Sequence, residues 1–156
     1  MCLCTALRDL QNLGDAIETL EGARKIIETL EAPLDVFEVK TELALAHLMA
    51  GHIVLARTLT VECLEFAQSQ DYDVGIPEHL YWLAARVFRA SGDAKRSTEL
   101  LDRAFELITR AAREMDSPSK RDVFMNLSLN QEIVDAHETN SWPAYAGREQ
   151  PSVNLA

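Results

Sequence analysis

Residues 78–115, EHLYWLAARVFRASGDAKRSTELLDRAFELITRAAREM, constrain the fold more than any other stretch. Leu80, Tyr81, Ala84, Ala85 and Phe88 recur at spacings of three and four, which marks one stripe of a helix. Leu100, Leu101, Ala104, Phe105, Ile108, Ala111 and Ala112 follow the same rule after a break at Ser91-Gly92-Asp93. Gly92 lets the chain leave the first helix in a left-handed conformation, and Asp93 can cap the second. Small residues at Ala84, Ala85 and Ala104 let two antiparallel helices approach closely. The stretch therefore predicts a helical hairpin.

The same pattern recurs upstream. Turn glycines are expected at Gly14, Gly51 and Gly92, at steps of about 37 and 41 residues, close to the ~34 of short helical repeats. The first hairpin is expected as a helix over about residues 2–13, striped by Leu3, Ala6, Leu7 and Leu10. Asp15 is expected to cap its partner, which runs to about Glu31 with Ile17, Leu20, Ala23, Ile27 and Leu30 facing inward. Pro33 opens the second hairpin. Its first helix carries Phe37, Leu43, Ala44, His47 and Leu48; after Gly51-His52, its second carries Leu55, Ala56, Leu59, Cys63, Leu64 and Ala67. A loop over 71–77 precedes the third hairpin. Ser117-Pro118 opens a further helix bearing Val123, Phe124 and Leu127. Ser128 with Gln131 is a capping-box pattern, which predicts a break near Ser128 and a last short helix to about His137. The residues after Glu138 lack helical periodicity and are expected to form a disordered tail over 139–156.

The hairpin over 78–115 resembles the tetratricopeptide repeat (TPR). Tyr81 stands at the family's first aromatic position, Ala84-Ala85 at its large-small pair, Phe88 at its second aromatic, Gly92-Asp93 at its turn and Ala104 at its late small residue. Leu43-Ala44 match the large-small pair in the second hairpin, where His47 replaces the aromatic, and Ala56 and Cys63 fill the two small positions. Ala84 and Ser97 depart from the pattern, and the family's proline after the second helix is missing. The resemblance implies an all-α, TPR-like right-handed superhelical solenoid of antiparallel helix pairs. It places repeats over about 2–32, 33–70 and 77–116 and closing helices over 118–138. A second resemblance covers RDVFMNLSLNQEIVDAHE, with Arg121, Phe124-Met125-Asn126 and Ile133. It is similar to the closing helices of TPR-like tails in large bacterial signalling ATPases, cyclases and transcriptional activators, and implies a bacterial setting; the cytoplasmic expectation comes from three cysteines that make no disulfide framework.

The family's groove positions fall on Glu38, Thr41, Glu42, Leu45, Leu48 and Met49 of the second hairpin and on His79, Trp82, Leu83, Arg86 and Arg89 of the third. Among these, Trp82, Arg86, Arg89, His79, Glu42, Leu45 and Met49 are the expected peptide- or protein-binding residues. Trp82, Arg86 and Arg89 are spaced by four and three, an expected exposed stripe whose composition suits a binding hot spot. The alternative is that Trp82 packs on a neighbouring repeat.

A net charge of −10 on 156 residues argues against nonspecific nucleic-acid binding, which needs a basic surface. No stretch reaches the ~18 apolar residues of a membrane span, so no membrane partner is expected. Cys2, Cys4 and Cys63 make neither a disulfide framework nor a spaced metal-ligand set, and His47, His52, His79 and His137 show no i,i+4 pairing. No phosphate-binding, zinc-protease or nucleophile-elbow motif occurs. The expectation is a non-catalytic scaffold without cofactor or metal that binds a protein or peptide segment. A regulatory tail of a larger signalling ATPase or activator system is one alternative. A structural homo-oligomerisation module is another, with the groove filled by a second copy or by the tail around Trp142. The apolar first helix adds a homodimer to the expected partners.

Overall fold

The structure, a computed structural model, describes residues 12–69 and 77–145. Among them are seven helices and no strand: α1 (Leu13–Thr29), α2 (Pro33–Met49), α3 (Ile53–Ser69), α4 (Pro77–Ala90), α5 (Ala94–Glu114), α6 (Pro118–Met125) and α7 (Ser128–Thr139). The all-α reading holds. The expected first helix, Cys2, Cys4, most of the loop over 71–77 and the end of the tail lie outside the described residues. The chain divides into two compact units, residues 1–59 with 143–156 and residues 60–142.

In the first unit, α1 packs on α2. Leu20, Leu43, Ala44, Ala46, Leu48 and Ala56 are buried. Gly14 is not a turn glycine. It sits in the first turn of α1, behind Asn12, and Asp15 lies inside that turn rather than capping it. Nothing lies within 4 Å of the space a Cβ on Gly14 would occupy, and its backbone is not left-handed. The expected inward stripe is also too wide. Leu30 is 68% exposed and Leu55 53% exposed, so only part of each apolar face is covered in this chain.

Gly51 and Gly92 do turn the chain, with φ of 79° and 87°. Their hydrogen bonding is the same. The Gly51 and His52 N–H groups donate to the Leu48 and His47 carbonyls at 3.0 and 2.8 Å. Those of Gly92 and Asp93 donate to Arg89 and Phe88 at 3.1 and 2.9 Å. This pattern satisfies the last carbonyls of the helix while the chain reverses. A single 41-residue offset relates the two turns and carries the packing with it. Leu43-Ala44 falls on Ala84-Ala85, His47 on Phe88, Ala56 on Ser97 and Cys63 on Ala104, and all of these residues are buried. The same offset carries Pro77, which opens α4, onto Pro118, which opens α6.

In the second unit, α4 and α5 form the most extensive helix pair. Asp93 Oδ1 caps α5 by accepting from the Arg96 N–H at 3.1 Å. Ala84, Ala85 and Ala104 have no exposed surface, which brings the two backbones close. That closeness explains Ser97. Its hydroxyl, 2% exposed, donates to the Ala85 carbonyl across the pair at 2.8 Å.

α6 begins as another hairpin helix would, with Ser117 Oγ accepting from the Lys120 N–H at 3.4 Å. It ends after eight residues. The break falls where expected, but Leu127 is the N-cap residue of α7, and Ser128 already lies inside it without a side-chain cap bond. Instead, Asn130 Nδ2 and Gln131 Nε2 reach back to the Phe124 and Met125 carbonyls, each at 2.8 Å. The Arg121 guanidinium ties α6 to the end of α5 by donating to the Ala112 and Met115 carbonyls at 2.9 and 3.0 Å. Phe124 is half-buried in the core, whereas Val123 and Leu127 are 65% and 52% exposed.

Candidate functional site

α4 amphipathicity decides which side chains meet. Leu80, Ala84 and Phe88 take one buried side of the helix, and Trp82, Ala85 and Arg89 point along another. Trp82 is 1% exposed, so the expectation that it stands on an open stripe with Arg86 and Arg89 is corrected. It lies in a core formed with Ala85, Leu101, Ala104, Ile108, Ile133 and Ala136, contributed by α4, α5 and α7. The reason is α7. An i,i+3 apolar pair, Ile133 and Ala136, seats that helix on the α4–α5 hairpin. The neighbouring Glu132 then accepts a hydrogen bond from Trp82 Nε1 at 3.1 Å. The indole is a large apolar body with one polar atom, and burial is favourable once that atom is satisfied.

The two arginines remain at the rim. Arg89 is exposed and Arg86 half-buried. The Arg86 guanidinium carbon lies 5.8 Å from the Trp82 ring centroid, within cation–π range. His79 is exposed, one turn before Leu83, which is itself 5% exposed and therefore no groove residue.

The chain leaving α7 completes the cluster. Asn140 takes a left-handed conformation at φ 55°, and the Ser141 N–H donates to the Asp135 carbonyl at 3.2 Å. Asn and Asp tolerate this region better than other non-glycine residues. The turn brings the Trp142 ring onto Trp82, with centroids 5.3 Å apart and planes 22° from parallel. Arg89 covers Trp142 with its guanidinium carbon 4.5 Å from the ring centroid. Trp142 Nε1 donates to Asn140 Oδ1 at 2.8 Å. The expectation of a disordered tail is thus corrected as far as Trp142, which packs on the second unit's core.

A second stack joins α7 to α5. Phe105 and His137 lie face to face with centroids 3.8 Å apart and planes within 4°. His137 Nε2 is 3.4 Å from Asp102 Oδ1. Glu132 and His137 were not among the expected site residues, and Trp142 was expected only in the alternative in which the tail around it fills the groove. The available signals were the i,i+4 spacing of Ile133 and His137, and a lone tryptophan beside a residue suited to a left-handed turn.

The other expected residues lie in the first unit. Glu38 is exposed, Thr41, Glu42, Leu45 and Met49 are half-buried, and Leu48 is fully buried. The Thr41 hydroxyl donates to the Phe37 carbonyl within its own helix at 2.9 Å. The same unit pairs two histidines that sequence spacing did not single out. Across the Gly51 turn, His47 Nδ1 and His52 Nδ1 are 3.2 Å apart, so one imidazole donates and the other accepts. His47 is 6% exposed. Its pKa is lowered by burial and then by His52, against a smaller opposing pull from Glu21. Among the described residues, no group of three or more His, Cys, Asp or Glu side chains could hold a metal ion, and no helix is long and apolar enough to cross a membrane.

The chain matches no protein-family model, no curated protein and no solved structure.

Proposed function

We propose that this chain is a non-catalytic, TPR-like interaction module that binds a protein or peptide segment along α4. The supporting observation is the 41-residue register, in which turn geometry and buried small residues repeat from one hairpin to the next. Stacked hairpins of this kind offer binding surface rather than a reaction centre. On α4, Arg89 is exposed and Arg86 half-exposed, a cationic rim on a chain of net charge −10, and His79 is exposed on the same helix. Arginine at such a rim suits a carboxylate-bearing partner. A regulatory tail of a larger signalling ATPase or activator system is the alternative reading, and the proposed partners include a second copy through the first helix.

The test is affinity capture from native extract with the wild type and with Arg86→Glu/Arg89→Glu. Circular dichroism and light scattering must first confirm equal fold and mass. A partner retained by the wild type and lost by the double variant is the expected result. Equal capture by both overturns the assignment to α4.

One observation favours a second reading. Trp142 already covers Trp82, as a purely structural module with a self-filled face requires. That reading predicts no partner for either protein.

A further inference from the structure

Trp142 and Trp82 satisfy their indole N–H groups differently. Trp82 is anchored by Glu132 from a separate helix, so moving it would strand a buried polar atom. Trp142 satisfies its Nε1 within its own segment, on Asn140, and carries that bond with it wherever the segment goes. It meets α4 through ring faces: a stack on Trp82 and the Arg89 guanidinium above. Both contacts accept any aromatic ring of adequate size, because neither reads a particular hydrogen-bonding edge. A single left-handed residue, Asn140, joins the segment to α7.

We propose that the Trp82–Arg89 surface of α4 is a receptor slot for an aromatic side chain, and that Trp142 is its resident occupant in cis. The partner in trans is a protein segment carrying an aromatic residue beside a carboxylate. Arg89 is exposed at the rim, whereas the residues flanking Trp142 (Asn140, Ser141, Pro143 and Ala144) bring no charge to it. The inference rests on the reading of α4 as the binding helix and adds to it a competition. While Trp142 is docked, an incoming segment binds with its affinity reduced by the fraction of molecules in which the slot is open.

The experiment uses the full chain and a fluorescein-labelled peptide of residues 138–145, ETNSWPAY, read by fluorescence anisotropy. Trp142→Ala empties the slot. Asn140→Val keeps Trp142 and every core residue but makes the left-handed turn unfavourable, so it tests the same point if the first variant is poorly folded. The peptide is expected to bind Trp142→Ala at least about tenfold more tightly than the wild type. Asn140→Val should fall between the two. Adding Arg89→Ala to Trp142→Ala should weaken binding several-fold, and the same peptide with alanine in place of both its tryptophan and its tyrosine should not bind. Equal binding to wild type and folded variants, or binding to none of them, overturns the proposal. If a partner lost by Arg86→Glu/Arg89→Glu is captured equally by Trp142→Ala and the wild type, the slot is overturned while the binding helix stands. Peptide binding to Trp142→Ala without any captured partner supports the slot and counts against the wider reading.

Discussion

His47 shows how one substitution in a repeat changes what the repeat responds to. Its counterpart at the 41-residue offset is Phe88, and both are buried. Phenylalanine is indifferent to pH, whereas the imidazole must stay neutral to remain buried beside His52 at 3.2 Å. The folded pKa lies below the unfolded value of 6.5, so below pH 6.5 the unfolded chain binds the proton more readily. This contribution is therefore intact above pH 6.5 and is lost as pH falls through the folded value. Urea midpoints measured between pH 7.5 and the onset of carboxylate titration should drop with acidification. His47→Phe should flatten that slope, and an unchanged slope would show that the pair does not matter. Ser97 carries a related expectation. Ser97→Ala removes one buried hydrogen bond, about 1 kcal/mol, and places alanine where the preceding hairpin already has Ala56. Ser97→Leu would force α4 and α5 apart and cost about 1–3 kcal/mol or more. Denaturant melts of the two variants would test the closeness of the pair. The large-small pattern around Ala84-Ala85 was legible because it repeats. The meaning of Ser97 was not, since its partner is a backbone carbonyl twelve positions away.

Helices and turns account for most of what was readable. Pro33, Pro77 and Pro118 each open a helix, and Asp93 caps one, because these signals act within a few residues. Glycine was ambiguous. Gly92 at φ 87° is needed by its turn, so Gly92→Ala should lower stability by about 1–2 kcal/mol. Gly14→Ala, in a helical turn with open space around it, should stabilise by up to about 1 kcal/mol. Opposite signs in thermal melts are the expected outcome; equal effects would contradict the assignment of Gly14 to α1. Sequence spacing alone made the two glycines look alike. The short α6 depends on a tether that no local pattern announces. Arg121→Ala removes two bonds to carbonyls at the end of α5. Because the side chain is exposed, the loss should be about 1 kcal/mol, seen as faster amide exchange confined to residues 118–126.

For the molecule as a whole, the fold class was accessible from periodicity, while the fate of the α4 surface was not. Helical stripes report which residues turn inward but not which later segment covers them. Trp82 has the spacing of a surface residue on α4 and is buried by α7 and Trp142, 50 and 60 residues downstream. Burial of this kind is decided by tertiary contacts that leave no mark on the covered helix. Among the described residues, the buried core around Trp82 is drawn from residues 82–136, with partial cover from Tyr81 and Trp142 among others. A fragment of residues 60–142, the whole second unit, should therefore retain cooperative unfolding in a circular dichroism melt, and a gradual, featureless loss of helicity would show that this unit depends on the rest of the chain. The chain has two tryptophans, and they are the stacked pair. Two indoles this close and nearly parallel are coupled chromophores, so their excited states split and should give an exciton couplet in the ultraviolet dichroism spectrum. All of the protein's tryptophan emission likewise originates at one contact. Undocking of the segment after α7 thus has its own optical signature, readable without a label and separable from the helical signal of every other part of the molecule.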